Sequence, residues 1–313
     1  KKLPAARPSL GSSAPMGRLK PDVGNKLKRA ELAFKDKANK KKEKKQRQIE
    51  RRKEAEALGS EAPPKQVPKS LDTMREYDET VVQPDDEEVM GEDAIDEFAE
   101  HFTGAESKTL ITTGHYTSPE IMQLVDELVD LMPNAEYRKR GTADLKPIIE
   151  GASERGYTMM MVVTSKAKKA TGLWVVKLPA GPTAHFRMTS VRLRKQIRNH
   201  GRPTSHRPEL VLNNFGTRLG HRIGRLFGSL FPHDPQFHGR RVVTLHNQRD
   251  FVFLRHHRYM FSETGQRAYL QELGPRLTLR LRSLQLGTFD TTHGLYEWHH
   301  TPDMDTSRRR FFL

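Results

Sequence analysis

The chain has 313 residues, enough for one large domain or two modest ones, and only 35% of them are hydrophobic while 30% are charged. Lysine and arginine outnumber aspartate and glutamate by 54 to 39, and the resulting net charge of +15 predicts a polyanionic partner. The absence of cysteine excludes disulfides, thiolate zinc sites and cysteine nucleophiles, and no apolar run reaches the roughly 20 residues that a membrane-spanning helix needs.

Residues 1–58 form a strongly basic segment, with 19 lysines and arginines against 7 acidic residues, a net of +12 (19 − 7). From Asn25 to Leu58 it has almost no helix breakers and few apolar residues, which predicts a solvent-exposed helix or a disordered tail without a core of its own. Its densest run is a candidate RNA-binding or nuclear-import motif, although such runs are equally typical of an ordinary charged helix. That run contains Lys40, Lys41, Lys42, Lys44 and Lys45.

Residues 59–107 combine a proline-containing linker, at 59–70, with an acidic segment at 71–107. The acidic segment has 14 aspartates and glutamates and one basic residue, Arg75, a net of −13 (1 − 14). Two interpretations are open: a disordered acidic spacer, or a docking segment for a basic partner. In the second interpretation Ile95 and Phe98, on a short helix near 92–100, would be the protein-binding anchors.

Folded structure is expected from Lys108 onward. A helix start is marked by Ser118 and Pro119, a capping residue followed by proline at the first helical position, and Pro133 ends that helix. The predicted elements of this region are a strand at 109–113, helices at 118–131 and 145–154, and a strand hairpin at 158–164 and 173–178.

The stretch that follows, GPTAHFRMTSV at 181–191, recurs as GPRLTLRLRSL at 274–284. Each copy alternates apolar and polar residues as a strand with one buried face does, with arginines on the face opposite the apolar residues. Between the copies, the predicted elements repeat the order of the first half: a strand at 209–212, a helix at 217–230, a hairpin at 242–245 and 251–254, and a run at 269–273.

This repeated order predicts an α/β fold of two similar halves with mixed open sheets, at about 108–200 and 201–290, related by a pseudo-twofold axis. The helix at 145–154 has no counterpart in the second half. Residues 291–313 are expected to wrap the surface as a C-terminal extension that ends in basic and aromatic residues.

Basic residues in the folded part are almost all arginine: after Leu178 there are 21 arginines and one lysine, against nine acidic residues. The planar arginine fork binds phosphate with paired hydrogen bonds and stacks on bases, which favours a structured RNA partner; a GC-biased or thermostable composition is the alternative. The candidate RNA-binding residues in this part are Arg187, Arg192, Arg194, Lys195, Arg198, Arg202, Arg207, Arg218, Arg222, Arg225, Arg280, Arg282, Arg308, Arg309 and Arg310.

Glycine occurs at every fourth position around the helix at 217–230, at Gly216, Gly220, Gly224 and Gly228. Four glycines would destabilise an exposed helix, so we expect a close approach from the sheet, another helix or an RNA backbone. The 14 histidines lack metal-ligand spacing and are interpreted as surface or RNA-contacting residues. Since no P-loop, nucleophile elbow or nuclease-like acidic cluster occurs, the sequence predicts no catalytic residue, metal or cofactor.

Gly181-Pro182-Thr183 with Phe186 resembles the signature of the Brix domain, a family of eukaryotic ribosome-assembly proteins. The resemblance covers about 108–313 and extends to His206–Phe215, Gln271–Arg276 and Leu281–Asp290. It implies two α/β halves similar to anticodon-binding domains, a nucleolar location and no catalysis, cofactor or small-molecule substrate. It also implies that the chain binds pre-rRNA of the large subunit, with other assembly factors and ribosomal proteins, on early pre-60S particles.

Two other functions are compatible with the sequence. A protein-binding scaffold would use its arginines on acidic proteins, with RNA contact incidental. An RNA-processing enzyme would require metal-dependent turnover, which we do not expect. Because the copy at Gly274 lacks the threonine that follows Gly181-Pro182, we also do not expect identical RNA contacts from the two repeated strands.

Overall fold

The computed structural model describes residues 24–58, 70, 72–76, 78–83, 86–290, 293–307 and 309–313, in two compact units, Lys1–Lys69 and Ser70–Leu313. The described part of the first unit is a single helix, α1 (Lys26–Leu58). The Asn25 side-chain oxygen caps it by accepting a hydrogen bond from the Leu27 N–H at 2.9 Å. The side chains described along α1 are exposed. This agrees with the solvent-exposed helix, one of the two forms predicted for this segment. The linker predicted at 59–70 lies outside the described residues except for Ser70.

The described part of the second unit consists of short helices, a large sheet and a few 3-10 turns. Its helices are α2 (Glu87–Ile95), α3 (Ala99–Phe102), α4 (Pro119–Leu131), α5 (Leu145–Glu154) and α6 (Arg218–Gly228). Its strands are β1 (Thr109–Thr113), β2 (Ala135–Tyr137), β3 (Met159–Lys166), β4 (Lys169–Lys177), β5 (Thr183–Arg192), β6 (Glu209–Asn213), β7 (Arg241–Gln248), β8 (Phe251–Phe261), β9 (Ala268–Glu272), β10 (Arg276–Gln285) and β11 (Tyr296–His299). Of the described helices, α1 included, none has the length and apolar character needed to cross a membrane.

The strands join one sheet in the order β2-β1-β3-β4-β5-β10-β8-β7-β6, with β9 paired to β8 and β11 paired to β10. β1 is parallel to β3, as β6 is to β7, and the hairpins that follow are antiparallel. Strands β1, β3, β4 and β5 therefore correspond to β6, β7, β8 and β10. The predicted α/β fold of two similar halves is confirmed, and the two halves share a single continuous sheet.

The two repeated Gly-Pro strands, β5 and β10, pair with each other at the centre of this sheet. They are antiparallel, so each strand begins where the other ends. A Cβ on Gly181 (φ +105°) would lie 2.6 Å from the Leu286 carbonyl oxygen, and one on Gly274 (φ +73°) would lie 2.9 Å from the Arg194 Cα. Both positions require glycine, because both combine a positive φ with backbone at close range. The sequence repeat therefore encodes a reciprocal contact between the halves.

Helices α4 and α6 cover one face of the sheet and enclose the main core. That core runs from Leu124 on α4, across Phe186 on β5, to Ile223 and Phe227 on α6, and the rings of Phe186 and Phe227 are 5.2 Å apart. Helix α5 packs on the opposite face, against β1, β3 and β4 only. In the described residues no helix covers that opposite face over β5, β10 and β8, which we call the open face.

The C-terminal extension wraps the folded unit and closes over the start of α6. The N–H groups of Phe312 and Leu313 donate to the Asp250 carboxylate at 2.8 and 2.9 Å, and Leu313 is buried. A Cβ on Gly220 would lie 2.8 Å from the Leu313 backbone, and one on Gly228 would lie 3.0 Å from the Phe102 ring. Close packing of this chain against itself therefore explains Gly220 and Gly228, whereas a Cβ on Gly224 would meet only ordinary contacts at 3.8 Å and one on Gly216 would meet no atom of the described residues within 4 Å, so the close approach expected there is absent.

Candidate nucleic-acid interface

Arginines from both halves meet on the open face where β5 and β10 pair. Residues directly opposite each other in a pair of strands share a face. Arg187 on β5 lies opposite Arg280 on β10, and Arg192 lies opposite Arg276. Arg187 and Arg192 are exposed and form no ion pair with any described residue. The alternation predicted from the repeats therefore places at least two unpaired arginines on one accessible surface.

Aromatic rings alternate with these arginines on the neighbouring strand β8. Phe251 pairs in register with Arg280, whose guanidinium lies 5.3 Å from the ring centroid. The Arg255 guanidinium lies 5.6 Å from the Phe253 ring. On β4 and β5, the rings of Trp174 and His185 stack 4.0 Å apart at an angle of 10°. Flat rings beside guanidinium groups provide stacking surfaces for nucleic-acid bases.

Two acidic residues partly balance the charge at the edge of this surface. Asp305, in a 3-10 turn of the C-terminal extension, accepts a hydrogen bond from Arg280, and Glu272 accepts one from Arg276 at 2.5 Å. Burial lowers the pKa of Arg282, and the neighbouring Arg280 and Arg187 lower it further. The arginines therefore lie close enough for each positive charge to disfavour the next. An anion bound above them would reduce this repulsion.

The candidate RNA-binding residues that follow β5 are not all displayed in the same way. Arg194 turns inward: its N–H donates to the Glu127 carboxylate at 2.8 Å, and its side chain bonds the Leu273 carbonyl and Asp130. Arg207 pairs with Asp234 at 2.7 Å. The remaining residues of the group are exposed and have no ion pair within the described ranges; they are Lys195, Arg198 and Arg202.

The three arginines of α6 are paired with the acidic segment of the same chain. Arg218 bonds Glu88, Arg222 bonds Glu97 and Glu297 at 3.2 and 2.7 Å, and Arg225 bonds Asp96 at 2.6 Å. In this conformation carboxylates occupy the basic face of α6, and the predicted contact of its arginines with RNA stays a prediction. The prediction of a disordered acidic spacer is wrong for the described part of that segment, whose basic partner is α6.

Of the two predicted protein-binding anchors, only Ile95 is on the surface, where it is 86% exposed. Phe98 is 0% exposed and belongs to the main core. The reason is local: α2 ends at Ile95, and the Asp96 side chain accepts a hydrogen bond from the Phe98 N–H at 3.0 Å, which turns the chain inward. Phe98 therefore stabilises this fold and is not available to a partner.

The remaining predicted basic residues lie at the two ends of the chain. The lysine run from Lys40 to Lys45 is exposed on α1, and Arg309 and Arg310 are exposed near the C-terminus. Arg308 lies outside the described residues. Phe311, which follows them, is buried, with the Arg75 guanidinium 5.7 Å from its ring.

Several histidines are not the surface residues that the sequence predicted. His256 and His101 are buried, and burial lowers the pKa of both. His300 lies between two arginines, with its ring nitrogens 3.0 Å from Arg280 and 2.9 Å from Arg282. Across the described ranges, no three His, Asp or Glu side chains are grouped to hold a metal ion.

Sequence reasoning missed the contribution of β8 and of the start of β10. Phe251, Phe253, Arg255 and Arg276 lie on the open face, but they are 60 or more residues away in sequence from Arg187. The alternation of Phe251, Phe253 and Arg255 within one predicted strand was the available signal. It indicates a shared face, but it does not indicate which strand lies beside it.

Comparison with known proteins agrees with the resemblance that the repeated strands suggested. The Brix domain profile matches residues 114–283. Ribosome production factor 1 of Pongo abelii is 50% identical over 311 residues, which is 98% of this chain and 88% of that protein. The protein of the same name from Xenopus laevis is 52% identical over 262 residues, 82% of this chain and 76% of its own length.

Among solved structures, a probable ribosomal biogenesis protein from Aeropyrum pernix K1 aligns with a TM-score of 0.43 at 18% identity, over 56% of this chain and 96% of that one. The family assignment rests on the sequence matches. The profile covers more than half of the chain, and the Pongo abelii relative matches almost all of it at half identity. The chain therefore belongs to the Brix domain family.

Proposed function

We propose that the chain is a non-catalytic ribosome biogenesis factor that binds pre-rRNA of the large subunit through its open face. It would act in early nucleolar pre-60S particles, together with other assembly factors and ribosomal proteins, in the processing and maturation of large-subunit rRNA. The ribosomal part of this proposal is supported by the family and by relatives that are called ribosome production factor 1. The RNA part is carried by one observation, the unpaired Arg187 and Arg192 beside arginine and phenylalanine side chains on a sheet face that no α-helix covers in the described residues.

This arrangement suits a folded RNA backbone better than a particular sequence. Arginine forks bind phosphates and give affinity without base readout, whereas Phe251 and Phe253 can stack on unpaired bases. The exposed lysines of α1, with Lys195, Arg198 and Arg202, would add phosphate contacts of the same non-specific kind. The protein would thus recognise the shape of an RNA junction or loop.

The test is RNA binding by the double variant R187Q/R192Q, measured by fluorescence anisotropy with a labelled hairpin RNA between 50 and 200 mM salt. Loss of two phosphate contacts should weaken binding and reduce the slope of log affinity against log salt by about 1.4. The matched control is R258Q/R267Q, which removes the same charge from two exposed arginines away from the open face. If both variants change affinity and slope equally, the open face is not the RNA site.

A protein-binding scaffold is the second candidate, and the exposure of Ile95 on the acidic segment favours it. Deleting the whole acidic segment cannot separate the two functions, because the deletion would remove Phe98 from the core. The sharper variant is I95E, which leaves the core intact. A scaffold that docks through this segment should lose its place in the particle, whereas an RNA-bound factor should keep it.

In-cell UV crosslinking then identifies the RNA. Crosslinks concentrated in one region of the large-subunit precursor, and reduced in R187Q/R192Q, would support a placed RNA-binding factor. Scattered or absent crosslinks, with the protein still in the particle, would favour the scaffold.

A further inference from the structure

One face of α6 is occupied by carboxylates that come mostly from a single segment. Arg218, Arg222 and Arg225 are four and three residues apart, so they form a row along the helix with steps of about 6 and 4.5 Å. His221 adjoins the row and lies 2.8 Å from Asp93. The segment 88–97 supplies an acidic partner to each of these basic residues. The segment therefore sits where a polyanion would bind.

The two ends of this acidic segment are held very differently. At the inner end, Phe98 is in the core, and the Arg225–Asp96 pair has side chains only 12% and 10% exposed. At the outer end, α2 contributes one buried side chain, Val89, and the Arg218–Glu88 pair is 45% and 66% exposed. Exposed ion pairs contribute little net stability and are screened by salt, whereas breaking a buried pair is costly. The outer pairs can therefore exchange while the inner anchor stays.

Phosphate is a suitable replacement for the outer carboxylates. An arginine fork accepts either group with the same paired geometry, so exchange leaves no cation unpaired. Arg222 is held by Glu97, in the anchoring turn, and by Glu297. After α2 leaves, Arg218 and His221 would therefore face solvent together, while Arg222 stays paired.

We propose that Arg218 and His221 form a second phosphate-binding surface for RNA, and that α2 is its internal competitor. The proposal rests on the proposed RNA-binding function and adds to it a contact on the helical side of the sheet. RNA phosphates replace Glu88 and Asp93, and α2 swings away about the Asp96–Phe98 turn. An RNA must therefore displace an acidic helix to gain this contact. Isolated or weakly bound anions are disfavoured as ligands of this surface.

The experiment compares two variants that raise the net charge equally. E88Q/D93N removes the carboxylates that contact Arg218 and His221; Arg225, which Asp93 also approaches at 3.4 Å, keeps its partner Asp96. E87Q/E100Q is the control, because both of its acids are exposed and neither forms an ion pair with a described residue. Binding of a labelled oligouridylate and of the hairpin RNA is measured on the full chain between 50 and 200 mM salt. Tryptophan fluorescence in urea checks that each variant is folded.

E88Q/D93N should bind more tightly at 50 mM salt than E87Q/E100Q, with a salt slope steeper by about 0.7 for the one freed arginine, Arg218. The loss of affinity between 50 and 200 mM salt would then be about 2.6-fold larger than in the control. Adding R218Q to E88Q/D93N should return both quantities to control values.

Equal affinities and slopes for E88Q/D93N and E87Q/E100Q would overturn the proposal. If that equality is found while R187Q/R192Q still weakens binding, the RNA-binding function stands and α2 is only a structural helix. If neither the natural protein nor E88Q/D93N binds RNA, the RNA-binding function fails as well.

Discussion

Acidification should destabilise the folded unit through one buried histidine, His256 on β8. Its Nδ1–H donates to the Gly274 carbonyl at 2.9 Å, and its Nε2 accepts a hydrogen bond from the Arg241 Nε at 3.2 Å. The pKa of His256 is lowered to about 3, chiefly by burial and also by the positive charges of Arg241 and Arg194. A proton on Nε2 would remove an acceptor and place a cation against a guanidinium.

The size of the effect follows from the two pKa values. In the unfolded chain a histidine titrates near pH 6.5, so below that pH the unfolded state binds a proton that the folded state refuses. The contribution to stability is complete above pH 6.5 and declines down to about pH 3. At pH 4.5, two pH units below the unfolded pKa, the loss is about 2.7 kcal/mol.

The contribution of His256 to the free energy of unfolding is measured by comparing the natural protein with H256Q. Both are unfolded in urea at pH values from 7.5 to 4.5 and followed by tryptophan fluorescence. Both tryptophans, Trp174 and Trp298, are in the folded unit. Glutamine can accept from Arg241 but does not titrate, so H256Q should be less stable at pH 7.5 and should recover by about 2.7 kcal/mol relative to the natural protein at pH 4.5. A difference that stays constant with pH would refute the assignment of a neutral, buried His256.

Two further predictions concern stability and use the same unfolding assay. Phe98→Ala should lower the free energy of unfolding by about 3 to 5 kcal/mol, because it empties a core position, whereas the exposed Ile95→Ala should change it by less than about 0.5 kcal/mol. Gly181→Ala and Gly274→Ala should each cost at least ~2 kcal/mol, since both positions combine a positive φ with backbone within 3 Å of the new Cβ; tolerance of either change would contradict the reciprocal contact.

Local patterns predicted the fold well where one element carries its own signal. Ser118 and Pro119 marked the start of α4, which begins at Pro119 and ends at Leu131 as predicted. The Gly-Pro repeat predicted two halves because its alternation and its order of elements recur. Strands β2 and β11 were missed, because they have three and four residues and carry too little pattern.

The partners of each element could not be predicted, because pairing is decided over long distances in sequence. Arg187 and Arg194 are seven residues apart, yet one is exposed on the open face and the other is half-buried and bonds the Leu273 carbonyl and Asp130. In the acidic segment, the charge left a disordered spacer and a docking segment for a basic partner open, and composition could not show that its carboxylates pair with α6 of the same chain. Ile95 and Phe98 have opposite exposures because α2 ends between them.

The open face extends over β8 because the two halves differ in one element. Helix α5, which has no counterpart in the second half, covers β1, β3 and β4 of the first. By the correspondence between the halves, a second copy of α5 would lie over β6, β7 and β8, and it would bury Phe253 and Arg255. Its absence leaves β8 exposed beside the β5–β10 pair, which neither copy would cover, and the duplication places one arginine from each half, Arg187 and Arg280, on that pair. Both halves therefore build the open face: the duplication supplies its central arginines, and the missing copy of α5 leaves the aromatic side chains of β8 accessible beside them.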